Sequence, residues 1–391
     1  MEKKKKMKHF YDYSLLFSVL FLTGFGLVMM YSASGYAAQS KWSDAMYFFK
    51  RQAVFAGAGI VGMLFFSRFI DYHLLTVVNL PFYLVSLLLL FLTFLIGVAS
   101  HGSARWLNIG GIGFQPSELM KIAVILMIAV QITHFGYRIN ETQYAAQVLL
   151  LGLLPMVLVA KTNLSTGIII GGITVIMLFI AVKNYLHFLL LGGAAGAIYI
   201  FAYPLARFLE KIHVLQGYQI RRILAWKDPG SYADETFQTL QGLYAIGSGG
   251  IFGKGLGESI QKFLMPEAQN DMIFTIICEE LGLFGAVSLM LIYAFIIYRM
   301  FDIARNARDL FGSMLVIGVM CHVSLQAILN IAVATNAIPN TGITLPFISY
   351  GGTSLLLLMG EIGIVLSVSR QIELEPESVK GAEREAGSAK R

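Results

Sequence analysis

The stretch Met-Pro-Glu-Ala-Gln-Asn-Asp-Met-Ile-Phe-Thr-Ile-Ile-Cys-Glu-Glu-Leu-Gly, residues 265–282, decides how the chain is read. A polar, glycine-rich region ends at Pro266 and a long apolar run starts at Met272, with Asp271 at the junction. Glu279 and Glu280 fall inside the apolar run, where an ionised side chain is costly and needs a reason to be there. On one straight helix rising about 1.5 Å per residue, they would lie roughly 12 to 14 Å deeper than Asp271. Asp271 is therefore the candidate for chemistry at a water–membrane interface. The two glutamates are candidates for structural intramembrane residues, and Glu361, deep in a later run, is a third.

The rest of the composition agrees with a membrane. Of 391 residues, 57% are hydrophobic and only 13% charged, and the mean hydropathy is +0.69. Soluble domains carry about 25% charged residues, so a string of soluble domains is excluded. The pattern is that of an all-α polytopic membrane protein with about ten transmembrane helices. The spans are expected at about 13–31, 53–70, 77–98, 117–135, 146–161, 164–182, 186–203, 272–299, 311–335 and 346–369. A large loop, 204–271, separates the seventh from the eighth.

Charge sets the orientation. The formal net charge of +6 owes much to Lys3, Lys4, Lys5, Lys6 and Lys8. Beside a membrane span, such a run reads as a cytoplasmic anchor rather than a nucleic-acid contact. Residues 1–12 are then a basic cytoplasmic N-terminus, and 13–370 form the ten-helix domain. An even span count returns 371–391, a polar tail expected to be disordered, to the cytoplasm. The 204–271 loop, the segment around Arg105, the start of span four and the 336–346 connection fall on the external side. The two cysteines, Cys278 and Cys321, lie in apolar runs and indicate neither a disulfide framework nor a zinc site.

Several polar constellations lie on that external side. Pro116, Ser117 and Glu118 suit a helix start, and Glu118 and Lys121 share a face three residues apart. They read either as a structural ion pair or, with Arg105, as part of a grip on phosphate. Lys161-Thr-Asn-Leu-Ser-Thr is expected to be a tight turn between spans five and six. Residues 217–229, which mix Arg221 and Arg222 with aromatic residues, read as an amphipathic helix on the outer leaflet closed by Asp228-Pro229. The run from Gly247 to Gly257 fails the P-loop pattern and reads as a closely approaching backbone at a substrate mouth. Glu361 needs an internal partner, for which His322, Gln326 and Arg299 are candidates.

Four motifs in order carry a resemblance. Gln-Pro-Ser-Glu-Leu-Met-Lys (115–121), Pro-Glu-Ala-x-x-Asp-x-Ile-Phe (266–274), Glu-Glu-Leu-Gly (279–282) and Pro-Asn-Thr-Gly-Ile-Thr-Leu-Pro-Phe-Ile-Ser-Tyr-Gly-Gly (339–352) resemble the SEDS family of shape, elongation, division and sporulation proteins. The resemblance covers about residues 10 to 370, and Pro-Glu-Ala is closer to the FtsW and SpoVE branches than to RodA. It implies a peptidoglycan glycosyltransferase that polymerises lipid II into glycan strands at the outer face of the cytoplasmic membrane. The implied setting is cell division or sporulation, beside a class B penicillin-binding protein and the division or sporulation machinery. The implied ligands are lipid II and the nascent lipid-linked glycan, with no nucleic acid.

On this resemblance Asp271 corresponds to the family's essential external aspartate, and Arg105, Glu118 and Lys121 to its substrate-binding residues. The chain departs from the family at Gln269-Asn270, where His-Thr is usual, and at Lys161-Thr-Asn, where Gln-Pro-Asp is usual.

The chemistry follows from the residue types. Asp271 is the candidate general base for the acceptor sugar's 4-hydroxyl, and Arg105 and Lys121 are cations for the leaving lipid diphosphate. Arg221 and Arg222 would touch substrate when the loop closes, and Glu267 would assist Asp271 from one turn earlier on the same helix. A divalent cation, Mg or Mn, at Asp271 stays open, although no ligand cluster is visible in the sequence. The alternatives are a lipid II flippase and a divergent scaffold that recruits a cell-wall synthase.

Overall fold

The computed structural model describes residues 10–100, 103–109, 112–183, 185–202, 204, 207–208, 217–227 and 232–373. The basic run 3–8, Asp228-Pro229 and the tail beyond 373 lie outside the described residues, as do the side chains of Arg105 and Arg221.

Helices dominate, in the order α1 (Tyr13–Trp42), α2 (Tyr47–Phe69), α3 (Leu74–Ile96), α4 (Pro116–Phe135), α5 (Thr142–Thr162), α6 (Leu164–Ala181), α7 (Leu186–Ile200), α8 (Gly217–Lys227), α9 (Ala233–Ser248), α10 (Ile273–Arg305), α11 (Leu310–Ala334) and α12 (Gly352–Arg370). Among the described residues, nine are long and apolar enough to cross a membrane. The expected seventh span is present as the shorter, 15-residue α7.

Caps written in the sequence set many of the ends. Asp12 accepts from the Leu15 N–H at 2.8 Å to start α1, and Asp309 accepts from the Gly312 N–H at 2.7 Å to start α11. Asn163 ends α5 and caps α6, accepting from the Thr166 N–H, so 161–166 is the tight turn expected of it.

One end of the bundle is tied by charges. Arg299 grips the Asp12 carboxylate at 2.7 Å, His73 bridges Asp71 and Asp309, and Gln371 donates to Asp71 at 2.9 Å. Arg299 is thus committed to Asp12 and is not the partner of Glu361. Close packing joins α2 and α12 along their length: a Cβ on Gly363 would stand 2.9 Å from the Met63 carbonyl oxygen.

The opposite end differs from expectation in three ways. Residues 98–114 form a three-stranded antiparallel sheet, β1 (Val98–Ser100), β2 (Ser103–Ile109) and β3 (Ile112–Phe114). Leu107 pairs with Phe114 and Ile109 with Ile112, and Thr353 at the start of α12 donates to the Gly113 carbonyl at 3.3 Å. The long loop carries, besides the expected helix α8, a second helix, α9. The last span starts only at Gly352, which leaves 335–351 as an irregular segment threaded among the helix ends.

The most consequential difference lies in α10. Its backbone leaves helical geometry at Gly282, with φ +67° and ψ −166°. The glycine-rich segment after α9 inserts there. Gly250 and Ile251 offer carbonyls to the Leu283 and Phe284 N–H groups at 2.9 and 3.0 Å, and the Lys254 and Gly255 N–H groups donate to the Glu279 and Glu280 carbonyls at 3.0 Å. The segment thus satisfies the helix's own backbone groups where its ladder is broken. Gly253 and Gly282, both at positive φ, face each other so closely that a Cβ on Gly282 would lie 2.3 Å from the Gly253 nitrogen. The close approach expected of the 247–257 run is real, but it is made to α10 rather than to a substrate mouth.

This break corrects the depth assigned to Glu279 and Glu280. Glu280 accepts from the Ser32 hydroxyl on α1 at 2.6 Å, while Asp271's carbonyl accepts from Asn330 on α11 at 2.8 Å. At about 1.5 Å per residue, Ser32 stands roughly 29 Å along α1 and Asn330 roughly 30 Å along α11 from the charge-tied end. The segment Ile273–Leu281 therefore runs across the bundle, and Glu280 and Asp271 lie at similar heights.

Candidate functional site

Asp271 sits in the turn just before α10, not on the helix. Its Oδ1 lies 3.4 Å from the Gln238 amide nitrogen on α9. Its Oδ2 faces Gly342, where an added Cβ would stand 3.6 Å away and where φ is +68°. Asn330 fixes the backbone beneath it by donating to the Asp271 carbonyl at 2.8 Å and to the Ile343 carbonyl at 2.7 Å. Asn340 donates to Gln238 Oε1 at 3.2 Å, and Arg222 donates to the Asn340 carbonyl at 3.2 Å. Arg222, Asn340, Gln238 and Asp271 form one polar wall built from α8, the 335–351 segment, α9 and the turn before α10.

The segment α8 does more than rest on a surface. Leu224 and Ala225 are buried, and Trp226 donates to the Asn336 carbonyl at 2.9 Å. The helix expected over 217–229 is described as Gly217–Lys227 and packs over the 336–340 connection. Its Arg222 joins the site, while the side chain of Arg221 lies outside the described residues.

The spacing of Glu267 and Asp271 does not translate into a shared helix face. Glu267 is exposed, has φ +54° and accepts from Asn270 Nδ2 at 2.8 Å in the preceding turn. At 269–270, Asn270 acts through its side chain on Glu267, whereas the Gln269 contact is made by its backbone and does not depend on the residue type. Gln269 is buried and its carbonyl accepts from the Tyr350 N–H at 2.9 Å, which ties the turn to the 335–351 segment.

A second polar group lies inside the bundle next to this wall. Glu118 pairs with Lys121 at 3.0 Å and accepts from Ser354 at 2.8 Å. Lys121 is 1% exposed, and its ammonium also donates to Gln326 Oε1 at 2.9 Å. The Glu118–Lys121 pairing read from the spacing is present, but Lys121 lies within the wall rather than on its surface. A narrow cleft nearby is lined by Gln326, Thr344, Ser349, Tyr350 and Ser354 among others. Arg105 is carried on β2. His322, Gln326 and Asn330, each four residues apart on α11, form one stripe that connects Glu361, Lys121 and Asp271. Of the three candidate partners for Glu361, His322 bonds it directly, at 2.8 Å.

Glu279 and Glu280 are fully buried and paired. Glu279 meets Lys254 at 2.7 Å and Ser259 at 2.5 Å, and accepts from the Ile260 and Gln261 N–H groups. Glu280 meets Lys262 at 3.2 Å as well as Ser32. Together they clamp residues 254–262 onto α10.

Among the described residues, no group of three or more His, Cys, Asp or Glu side chains gathers as a metal cluster. Buried side-chain oxygens without a hydrogen-bond partner occur on Asn270, the residue before Asp271, on Thr341, the residue before Gly342, and on Asn330. Such a set of hard oxygen donors is compatible with Mg or Mn.

The comparisons with known proteins accord with this architecture. The family model described as cell cycle protein, covering FtsW, RodA and SpoVE, matches residues 13–374. Stage V sporulation protein E of Bacillus subtilis is 36% identical over 92% of this chain and 97% of its own length. The probable peptidoglycan glycosyltransferase FtsW of Trichlorobacter lovleyi is 37% identical over 95% of this chain and 96% of its own. Among solved structures, a chain from work on the structural coordination of polymerization and crosslinking by a peptidoglycan synthase complex superposes with a TM-score of 0.75 at 26% identity, covering 93% of this chain and 99% of that one. The rod shape determining protein RodA of Thermus thermophilus shares the fold, with a TM-score of 0.64 at 24% identity and coverage of 93% and 98%. With nine described membrane-length helices, the four ordered motifs and these matches, the chain is a multi-pass membrane protein that belongs to the FtsW, RodA and SpoVE cell cycle protein family.

Proposed function

We propose that this protein is a peptidoglycan glycosyltransferase that polymerises lipid II at the outer face of the cytoplasmic membrane, with Asp271 as general base. The observation that carries the reading is the Asp271 carboxylate, held by Gln238 and facing Gly342 at the end of the bundle opposite the Asp12–Arg299 tie. The names of its relatives, a peptidoglycan glycosyltransferase and a stage V sporulation protein, support the activity and a setting in division or sporulation.

Glycan extension requires the acceptor's 4-hydroxyl to lose a proton as its oxygen attacks the anomeric carbon of the donor. The bond from that carbon to the lipid diphosphate breaks, and the diphosphate leaves with the electron pair. A placed carboxylate that takes the proton is worth about 10²–10⁴-fold in rate. The growing charge on the diphosphate calls for preorganised cations. Arg222, on the Asp271 wall, and Arg105, on β2, are the guanidinium groups assigned to it. Lys121 spends two of its three N–H donors on Glu118 and Gln326, and the third is assigned to the diphosphate. Asp271, with the oxygens of Asn270, Asn330 and Thr341, would hold a divalent cation, Mg or Mn, which supplies positive charge to a diphosphate when bound.

In this reading the N- and C-termini are cytoplasmic, and the partner is a class B penicillin-binding protein; the likeness to a chain of a peptidoglycan synthase complex supports that partner. The test is a lipid II polymerisation assay of purified protein with its partner synthase. Asp271→Asn is expected to lose polymer formation while staying monodisperse in detergent. Full activity of that variant overturns the assignment. Translocation of lipid II across liposomes without polymer would instead establish the flippase, and loss of function on deleting 371–391 with Asp271 dispensable would establish the scaffold.

A further inference from the structure

The polar stripe of α11 does not stop at Lys121. His322 is 3% exposed and Glu361 is 1% exposed, and both lie among the spanning helices α11 and α12. Their hydrogen bonds fix where the protons sit. Gln326 faces the Lys121 ammonium at 2.9 Å with one amide atom, and the Thr344 carbonyl and hydroxyl at 3.1 and 3.2 Å with the other. An ammonium only donates, so the atom toward Lys121 is the Gln326 oxygen and the atom toward Thr344 is its nitrogen. His322 Nε2 meets that same oxygen at 2.9 Å and must therefore carry a hydrogen. His322 Nδ1 then faces Glu361 Oε2 at 2.8 Å. Two lone pairs do not meet at that distance, so one proton lies between them.

The pair is consequently neutral as a unit, whether written as imidazolium with carboxylate or as imidazole with carboxylic acid. Glu118 and Lys121 are likewise neutral together. The second Glu361 oxygen, Oε1, is buried with no donor, so a bare carboxylate at this position would be poorly supported. The other charged or titratable groups on the elements around α11 include His134 in the last turn of α4, and Asp302, 3.6 Å from Arg299, and Arg305 near the end of α10. Glu279 and Glu280 are held by Lys254 and Lys262, and Arg299 by Asp12. Arg370 is bonded to the Arg68 carbonyl, and α6 carries no charged side chain. The side chains of Asp234 and Glu235 on α9 lie outside the described residues.

We propose that His322 and Glu361 share one proton inside the bundle, and that this shared proton orients the Gln326 oxygen that holds Lys121. They are positioning residues for the cation of the polymerisation site, so the inference rests on the role given to Lys121 above. When the shared proton leaves, His322 Nδ1 and Glu361 repel each other, the ring shifts, and Gln326 loses one of the two donors that fix its oxygen. The substrate class affected is the diphosphate-bearing lipid, through its grip by Lys121.

Glu361→Gln tests this. A glutamine amide at 361 donates permanently to His322 Nδ1 and cannot lose that hydrogen. Wild-type polymerisation is expected to fall several-fold on the alkaline side once the shared proton is lost, through a rising KM for lipid II. In Glu361→Gln this alkaline fall is absent, whereas Glu361→Ala leaves His322 without its partner and lowers activity at every pH. A second readout needs no substrate: the thermal unfolding midpoint of the purified protein falls from neutral to alkaline pH in wild type, and by less in Glu361→Gln. An unchanged alkaline fall in Glu361→Gln by both readouts overturns the shared proton. If polymerisation survives in Lys121→Met while the two thermal profiles still differ, the role of Lys121 fails and the proton assignment stands.

Discussion

Gly342 and Glu118 show how single residues hold the site. Gly342 has φ +68°, which a side chain disfavours, and its missing Cβ leaves the Asp271 carboxylate free to face it. Gly342→Ala is expected to cost about 1–2 kcal/mol in backbone strain and to lower polymerisation without loss of membrane insertion. Thermal unfolding and lipid II assays on the same preparation measure the two effects. Glu118→Gln leaves the buried Lys121 charge without its carboxylate and is expected to destabilise by about 3 kcal/mol. The double variant Glu118→Gln with Lys121→Met should be more stable than Glu118→Gln alone, because the stranded charge is gone. A melting comparison that ranks the double variant lower would contradict the pairing. The spacing of these two residues was readable in the sequence. Their burial was not, because it depends on α11 bringing Gln326 against α4.

At the scale of elements, the interrupted α10 governs the site. The glycine-rich segment replaces backbone hydrogen bonds that the break at Gly282 would leave unmade, and Glu279 and Glu280 fasten the same segment by their side chains. Both kinds of bond hold the short helix that Asp271 precedes. Gly253→Ala places a Cβ about 2.2 Å from the Glu280 carbonyl oxygen at a positive φ. It is expected to destabilise by at least about 2 kcal/mol and to reduce polymerisation with it. Protease sensitivity within 249–262 should rise in parallel, and wild-type resistance there would count against the insertion. Apolar periodicity predicted a single span at 272–299, because a helix and a helix broken at one glycine have the same hydrophobic pattern. The break becomes visible only once the second backbone is in place. The sheet at 98–114 does have a local signal: Trp106-Leu-Asn-Ile-Gly-Gly-Ile-Gly-Phe carries the aromatic and branched residues around Gly-Gly that mark a hairpin.

The whole molecule is tied at the end remote from Asp271 by a cluster that responds to pH. Burial favours protonated Asp71, but the His73 N–H, the Gln371 amide and the His73 ring outweigh it and hold the carboxyl at about 2. Burial likewise opposes the charged forms of Asp309 and His73. The Gly312 N–H, Tyr72 and His73 nevertheless lower Asp309, and the two aspartates raise His73. The carboxylates contribute stability above about pH 4 that is lost as pH falls. His73 contributes below about pH 6.5, and that part is lost as pH rises through its raised value. The junction is therefore strongest between those limits. His73→Ala should lessen the decline of the thermal midpoint above pH 6.5, and a decline as steep as in wild type would remove His73 as a contributor.

The sequence by itself determined the membrane class, nearly all the spans, the start of α4 at Pro116 and the position of Asp271 at the head of an apolar run. These rest on hydropathy, periodicity and capping, which act over a few turns of chain. The order of four motifs was enough to point to the family. Only the tertiary structure decided which side chains meet. It joined Asp271 to Gln238, Asn330 and Gly342, gave Glu361 to His322, and drew Lys121 into the wall. It also moved Glu280 from deep in the bundle to the height of Asp271. Those pairings span tens to hundreds of residues, and buried polar groups take whichever partner the packed helices bring within hydrogen-bond reach. A local pattern shows that such a group needs a partner, and packing chooses it.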